Sequence, residues 1–174
     1  MKRPSRKEMT ADDVIRRYQS GYRDFPGVIV EADSFSQHRL GRVNFDGATL
    51  MNCNFDRAGL QGANLNASNL RQASFKGADL SKATLTGADF RGSNLQGANL
   101  SGADLRWANL EGVNLSGANI SGANFDGANL KNANLKNTNP GKLWWKANLQ
   151  EAKLDGATLP DGTVFGQTPA TQKE

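Results

Sequence analysis

Every fifth residue from Val30 to Leu135 is a large apolar side chain. The series Val30, Phe35, Leu40, Phe45, Leu50, Phe55, Leu60 runs on through Ile120, Phe125, Leu130 and Leu135, and all 22 positions hold Leu, Phe, Ile or Val. An α-helix advances about 100° per residue, so this period would spread the apolar centres around the whole cylinder. A straight strand fails as well, because an odd period sends successive centres to opposite faces of a sheet. Each unit therefore has to turn a corner. Two residues before each centre stands a small side chain, mostly alanine (Ala48, Ala58, Ala63, Ala73, Ala78), with Asn or Asp between the two (Asn64, Asp79, Asp89, Asn99, Asp104). The small residue and the centre are two apart and share an inward face, as strand geometry requires. The remaining three residues face outward and bend the chain. Glycine, common two residues after the centre (Gly77, Gly87, Gly97, Gly102), tolerates positive φ there, and Asn bonds local backbone. Repeating one such bend coils the backbone around an interior of Ala and Leu: an all-β solenoid.

The pattern A-[DN]-[LF]-x-G, as in 98-ANLSGADLRWANLEGVNLSGANISGANFDGANL-130, resembles the pentapeptide-repeat family over about residues 28 to 165. The resemblance implies a right-handed quadrilateral parallel β-helix, with four pentapeptides and hence about 20 residues per coil. Phe35, Phe55 and Phe75 would then stack vertically. With coils about 4.8 Å apart, five to seven of them make a rod roughly 25 to 35 Å long. The expected interior includes Phe35, Phe55, Phe75, Leu95, Leu100, Leu115 and Ile120.

A solenoid end exposes apolar interior and unpaired strand edges, so caps are expected. The segment 10-TADDVIRRYQSG-21 reads as a short N-terminal capping α-helix: Thr10 and Asp13 form a capping-box-like pair, Gly21 stops it, and Val14, Ile15 and Tyr18 make its apolar stripe. The chain thus divides into a flexible basic tail (1–9), helix and lead-in (10–27), solenoid (28–165) and a disordered polar tail (166–174). Asp33 and His38 take inward slots that later hold alanine, which suggests a loose first coil. Cys53 fills an alanine slot as a small buried hydrophobe.

The beat fails in 137-NTNPGKLWWKANL-149. Centres resume at Leu149, Leu154 and Leu159, which are 14, 19 and 24 residues after Leu135. That reads as one residue lost at a register break over 138–143, where Pro140 cannot donate to a ladder. With Trp144 as an inward centre and Val164 as the last one, the new beat is regular, and Trp145 then points outward.

Composition restricts function mainly by exclusion. One cysteine and one histidine supply neither a disulfide nor a His-rich metal site. Glycine at every fifth position is turn chemistry and not a phosphate cradle, and no calcium-binding repeat motif occurs. The chain is therefore read as no enzyme, with no cofactor, no metal and no small-molecule substrate. No run of 18 apolar residues occurs and no apolar stretch follows the basic start, so neither a membrane span nor secretion is expected and the cytoplasm is the default.

Residues 1–27 carry seven Lys/Arg against four acids, and the other 147 carry 14 against 13. A near-neutral solenoid is poorly suited to bind nucleic acid. It equally disfavours the alternative that the family resemblance brings, inhibition of DNA gyrase by mimicry of acidic DNA. The lead-in 16-RRYQSGYRDF-25 resembles that of many cyanobacterial relatives. What remains is a scaffold or interaction module, possessing an unidentified protein partner and existing as a monomer or weak dimer. Arg106, Trp107 and Trp145 are the candidate interaction patch, because Trp107 takes an outward slot usually held by glycine and hot spots favour Trp and Arg.

Overall fold

The computed structural model describes residues 8–139, 149 and 151–166. Parallel pairing joins each unit to the one 20 residues later: Asp24 to Asn44, Ile29 to Thr49, Ser34 to Asn54 and Arg39 to Gly59 belong to four ladders that continue up the stack. The coil is thus a quadrilateral. Its first face is centred on Phe25, Phe45, Leu65, Leu85, Leu105 and Phe125, and its second on Val30, Leu50, Leu70, Phe90, Leu110 and Leu130. The third holds Phe35, Phe55, Phe75, Leu95, Leu115 and Leu135, the fourth Leu40, Leu60, Leu80, Leu100 and Ile120. All of these centres are buried. The rings of Phe35, Phe55 and Phe75 form a stacked column, 4.8 Å between successive centroids and within 9° of parallel.

At most corners the chain makes a tight turn in which the amide of the small residue donates to the carbonyl of the preceding centre, as from Ala58 to Phe55 at 3.0 Å. Ser68 and Ser93 fit alanine slots because their hydroxyls donate to the carbonyls of Leu65 and Phe90. The second corner residue always sits at positive φ among the described coils, whether glycine or not: Arg42 58°, Lys82 57° and Trp107 60°. From that conformation the side chain runs along the axis over the next coil. Arg42 lies over Gly62, Arg57 over Gly77, Gln72 over Gly92, Lys82 over Gly102 and Trp107 over Gly127. At four of these glycines an added Cβ would stand 3.4 to 3.7 Å from the side chain below, an ordinary contact; only over Trp107, at Gly127, does the geometry require glycine.

Between small residue and centre, asparagines build ladders along the faces. The Asn64 amide donates to Asn44 Oδ1 at 3.1 Å, while Asn64 Oδ1 accepts from the backbone of Asn66 in its own turn at 3.1 Å. Asn99 to Asp79, Asn119 to Asn99 and Asn129 to Asn109 repeat the arrangement at 3.2 Å. A carboxylate can only accept, so Asp24 and Asp79 form the lower ends of such ladders.

Helix α1 (Ala11–Gln19) lies over the first coil with Val14 and Ile15 buried, and Thr10 and Asp13 form a reciprocal capping box. Tyr18 donates its hydroxyl to the carbonyl of Gly41 at 2.8 Å, and Met9 donates its amide to Ile29. The irregular residues of the first coil point elsewhere than expected. Half-buried Asp33 turns to the helix start and accepts from the Ala11 amide at 2.7 Å. That fixes a carboxylate at the positive end of the helix dipole. His38 is exposed, with Nδ1 2.9 Å from the carbonyl of Ser36.

The far end corrects two expectations. Asn119 still pairs with Asn139, 20 residues on, whereas Asn129 pairs with Lys153 and Asn134 with Thr158, 24 residues on. The coil gains four residues instead of losing one; the two are indistinguishable on a five-residue beat. The gain falls after Asn139, and residues 140–148, including Trp144 and Trp145, lie outside the described residues. Val164 is not a further centre of the coil, because Thr158 and Val164 pair antiparallel: the chain reverses at 160–163 and its returning strand covers the edge of the third face. Residues 1–7 and 167–174, which hold nearly all of both expected tails, also lie outside the described set.

Candidate interaction surface

The interior is filled by the stacked centres, so any functional chemistry belongs to the outer faces. The one described thiol is inert: burial pushes Cys53 up to about 11, and its Sγ lies 3.2 Å from the carbonyl of Val30. Among the described residues no group of three or more His, Cys, Asp or Glu could hold a metal ion. No described helix is long and apolar enough to cross a membrane.

Three of the carboxylates, Asp79, Asp89 and Asp104, work as structural acceptors. Asp104 is held below the usual range chiefly by hydrogen bonds from Arg106, against the opposing effect of burial. At Asp89 burial raises the pKa most, but the bonds and charge of Arg91 outweigh it. At Asp79 burial is again the largest influence, outweighed by hydrogen bonds from Ser81, Gln61 and Asn99. These three acids stand on the first, second and fourth faces and do not converge.

Trp107 stands apart from this background. It sits on the corner between the first and second faces, 59% exposed, the most exposed large hydrophobic residue among those described. Its indole lies flat over the backbone of Gly127 one coil on, where an added Cβ would come within 2.3 to 2.8 Å of three ring atoms. One ring face is thus shelved on glycine and the other meets solvent. Arg106 is adjacent but committed: its Nε and Nη2 grip Asp104, the closest contact 2.7 Å. The structure therefore joins Arg106 to Trp107 as neighbours, pins Arg106 to a carboxylate, and leaves Trp145 outside the described residues.

Sorting charges by face shows what the near-neutral total conceals. The first face and its following corner collect Asp24, Asp46, Asp104, Asp126 and Glu151. The bases there are Arg106, engaged by Asp104, and Arg23, which is folded over the Tyr18 ring at 3.7 Å. The fourth face and its corner carry Arg39, Arg42 and Lys82 against Asp79. The fourth face leads directly into the first, so the basic corner with Arg42 and Lys82 and the acidic corner with Trp107 form the two borders of the first face. The signal was present in the sequence, in residue number modulo 20.

Gly127 offers a direct check on the Trp107 shelf. Gly127→Ala places a side chain at φ 66° and drives its Cβ into the indole. It is expected to destabilise by about 1 to 3 kcal/mol, and in Trp107→Ala the same change should cost about 1 kcal/mol less. Chemical denaturation of the four proteins of the cycle measures the coupling.

The family model described as "Pentapeptide repeats" matches in eight copies, across residues 34–72, 60–97, 73–112 and 98–137. Solved structures similar to the chain include a trypsin-treated variant of QnrB1, a plasmid-mediated fluoroquinolone resistance protein. It is 18% identical, with 86% of this chain and 92% of that one covered and a TM-score of 0.46. Rfr23, a pentapeptide repeat protein from the cyanobacterium Cyanothece 51142, is 25% identical over 82% and 99%, with a TM-score of 0.35. HetL from Nostoc sp. PCC 7120, involved in heterocyst differentiation regulation, is 26% identical over 90% and 99%, with a TM-score of 0.25. Curated protein sequences gave no match.

Proposed function

The chain belongs to the pentapeptide-repeat family, and on that premise we propose that it is a rigid, non-catalytic solenoid that docks a protein partner on the corner carrying Trp107. The observation that carries this reading is Trp107 itself. A non-glycine residue at φ 60° costs of order 1 to 2 kcal/mol. Glycine fills the equivalent corner at 27, 47, 87 and 127. Tryptophan therefore adds strain and exposed apolar area that the coil does not require, and strained exposed aromatics suit binding. The partner would meet a preformed surface, since parallel ladders and asparagine bonds hold every coil on both sides.

Trp107→Ala is expected to leave the thermal melt nearly unchanged, within about 0.5 kcal/mol, yet to remove the partner from affinity capture in the native cell extract. A large loss of stability with the partner retained would assign the residue to packing.

A further inference from the structure

Resting on that docking reading, we propose that the Trp107 corner receives a basic segment: an extended Lys/Arg-rich stretch of the partner, with one cationic side chain over the indole. The free face of Trp107 is open to solvent, its other face being set on Gly127. A cation over an indole face is held by the ring's electrostatic quadrupole, and Arg or Lys is its natural occupant.

The surrounding charge has the matching sign. Asp126 stands beside Arg106, and since that guanidinium is already engaged by Asp104, the Asp126 carboxylate remains in excess. Asp46 adds to it on the same corner, and neither Asp46 nor Asp126 has a side-chain hydrogen bond or ion pair to another described residue. Asp24 and Glu151 extend the row towards the two ends.

The shape fits a chain lying along the axis. Gly47 and Gly87, on the corner below Trp107, have nothing within 4 Å of where a Cβ would be, so the track is open. Asp46 and Asp126 are four coils apart, about 19 Å, which an extended chain covers in about six residues. Nucleic acid is repelled by this edge. A second copy could bring only its Arg39, Arg42 and Lys82 edge, where Asp79 stands among the three bases.

The test uses the full chain and two labelled twelve-residue peptides, one alternating Arg and Ser, the other Glu and Ser, followed by fluorescence anisotropy. The Arg–Ser peptide should bind and the Glu–Ser peptide should not. Binding should weaken roughly tenfold or more in Trp107→Ala and in the double variant Asp46→Asn, Asp126→Asn, as for loss of a hot-spot contact, and should fall with added salt. Glu111→Gln, on the next corner, should leave it unchanged.

No Arg–Ser binding, equal binding of both peptides, or equal loss in Glu111→Gln overturns the proposal. So does duplex DNA competing at this corner, or sedimentation showing a dimer that Trp107→Ala dissolves. If a captured partner depends on Trp107 but is displaced by the Glu–Ser peptide and not by the Arg–Ser peptide, the basic-segment proposal fails while docking at Trp107 stands. If no captured partner depends on Trp107, the docking reading itself fails.

Discussion

Leu100→Asp is expected to abolish the cooperative fold, while Ser101→Asp, one residue further along, should melt close to the unsubstituted protein. Leu100 is fully buried on the fourth face, between Leu80 and Ile120 of the adjacent coils. A carboxylate there has no solvent and no partner, so it must either stay charged at prohibitive cost or bind a proton and remain an unsatisfied polar group. The loss should exceed about 4 kcal/mol, a substantial share of a domain's stability. Coils contact only their neighbours, so a failure in the middle of the stack also uncouples the units on either side. Thermal melting by circular dichroism, with gel filtration to detect expansion, is the measurement. A melt of Leu100→Asp near that of the parent would mean that the interior is not sealed.

Phe55→Ala should be the next most damaging change, costing about 3 to 5 kcal/mol. Phe55 lies between Phe35 and Phe75 in the stacked column, so truncation opens a cavity that the ladders above and below cannot collapse to fill. Phe55→Leu should recover most of the loss, because the same face carries Leu95, Leu115 and Leu135 higher in the stack. Phe165→Ala, on the 45% exposed ring of the terminal hairpin, should cost less than about 1 kcal/mol. Urea midpoints of the three variants rank them, and a Phe55→Ala midpoint equal to that of Phe165→Ala would overturn the column's role.

The N-terminal cap was readable because its signals are local: Thr10, Asp13, Val14 and Ile15 are within one helix and act through spacing of three and four residues. The role of Asp33 is hidden in the sequence because its partner, the Ala11 amide, is 22 residues away and belongs to another element. The hairpin at 156–166 was missed for a related reason. Val164 keeps the five-residue beat, and only the antiparallel pairing with Thr158 reveals the reversal. At the candidate site the sequence singled out Trp107 and Arg106 correctly as outward neighbours. It could not show that Asp104 grips Arg106 or that Gly127 supports the indole.

By itself the sequence determined the unit. A large apolar centre every fifth residue, with a small side chain two before it, leaves no helix or flat sheet that can bury the centres, so the chain must coil around them. The tertiary structure decided everything that depends on which units are neighbours: the 20-residue coil, the four-residue gain after Asn139, the glycine shelf under Trp107 and the acidic edge beside it. The reason is that a period of five residues sets each bend locally, whereas the number of bends per turn is set by closure of the backbone ladders. Charges adjacent in sequence are therefore distributed to different faces, and residues 20 apart become neighbours at 4.8 Å.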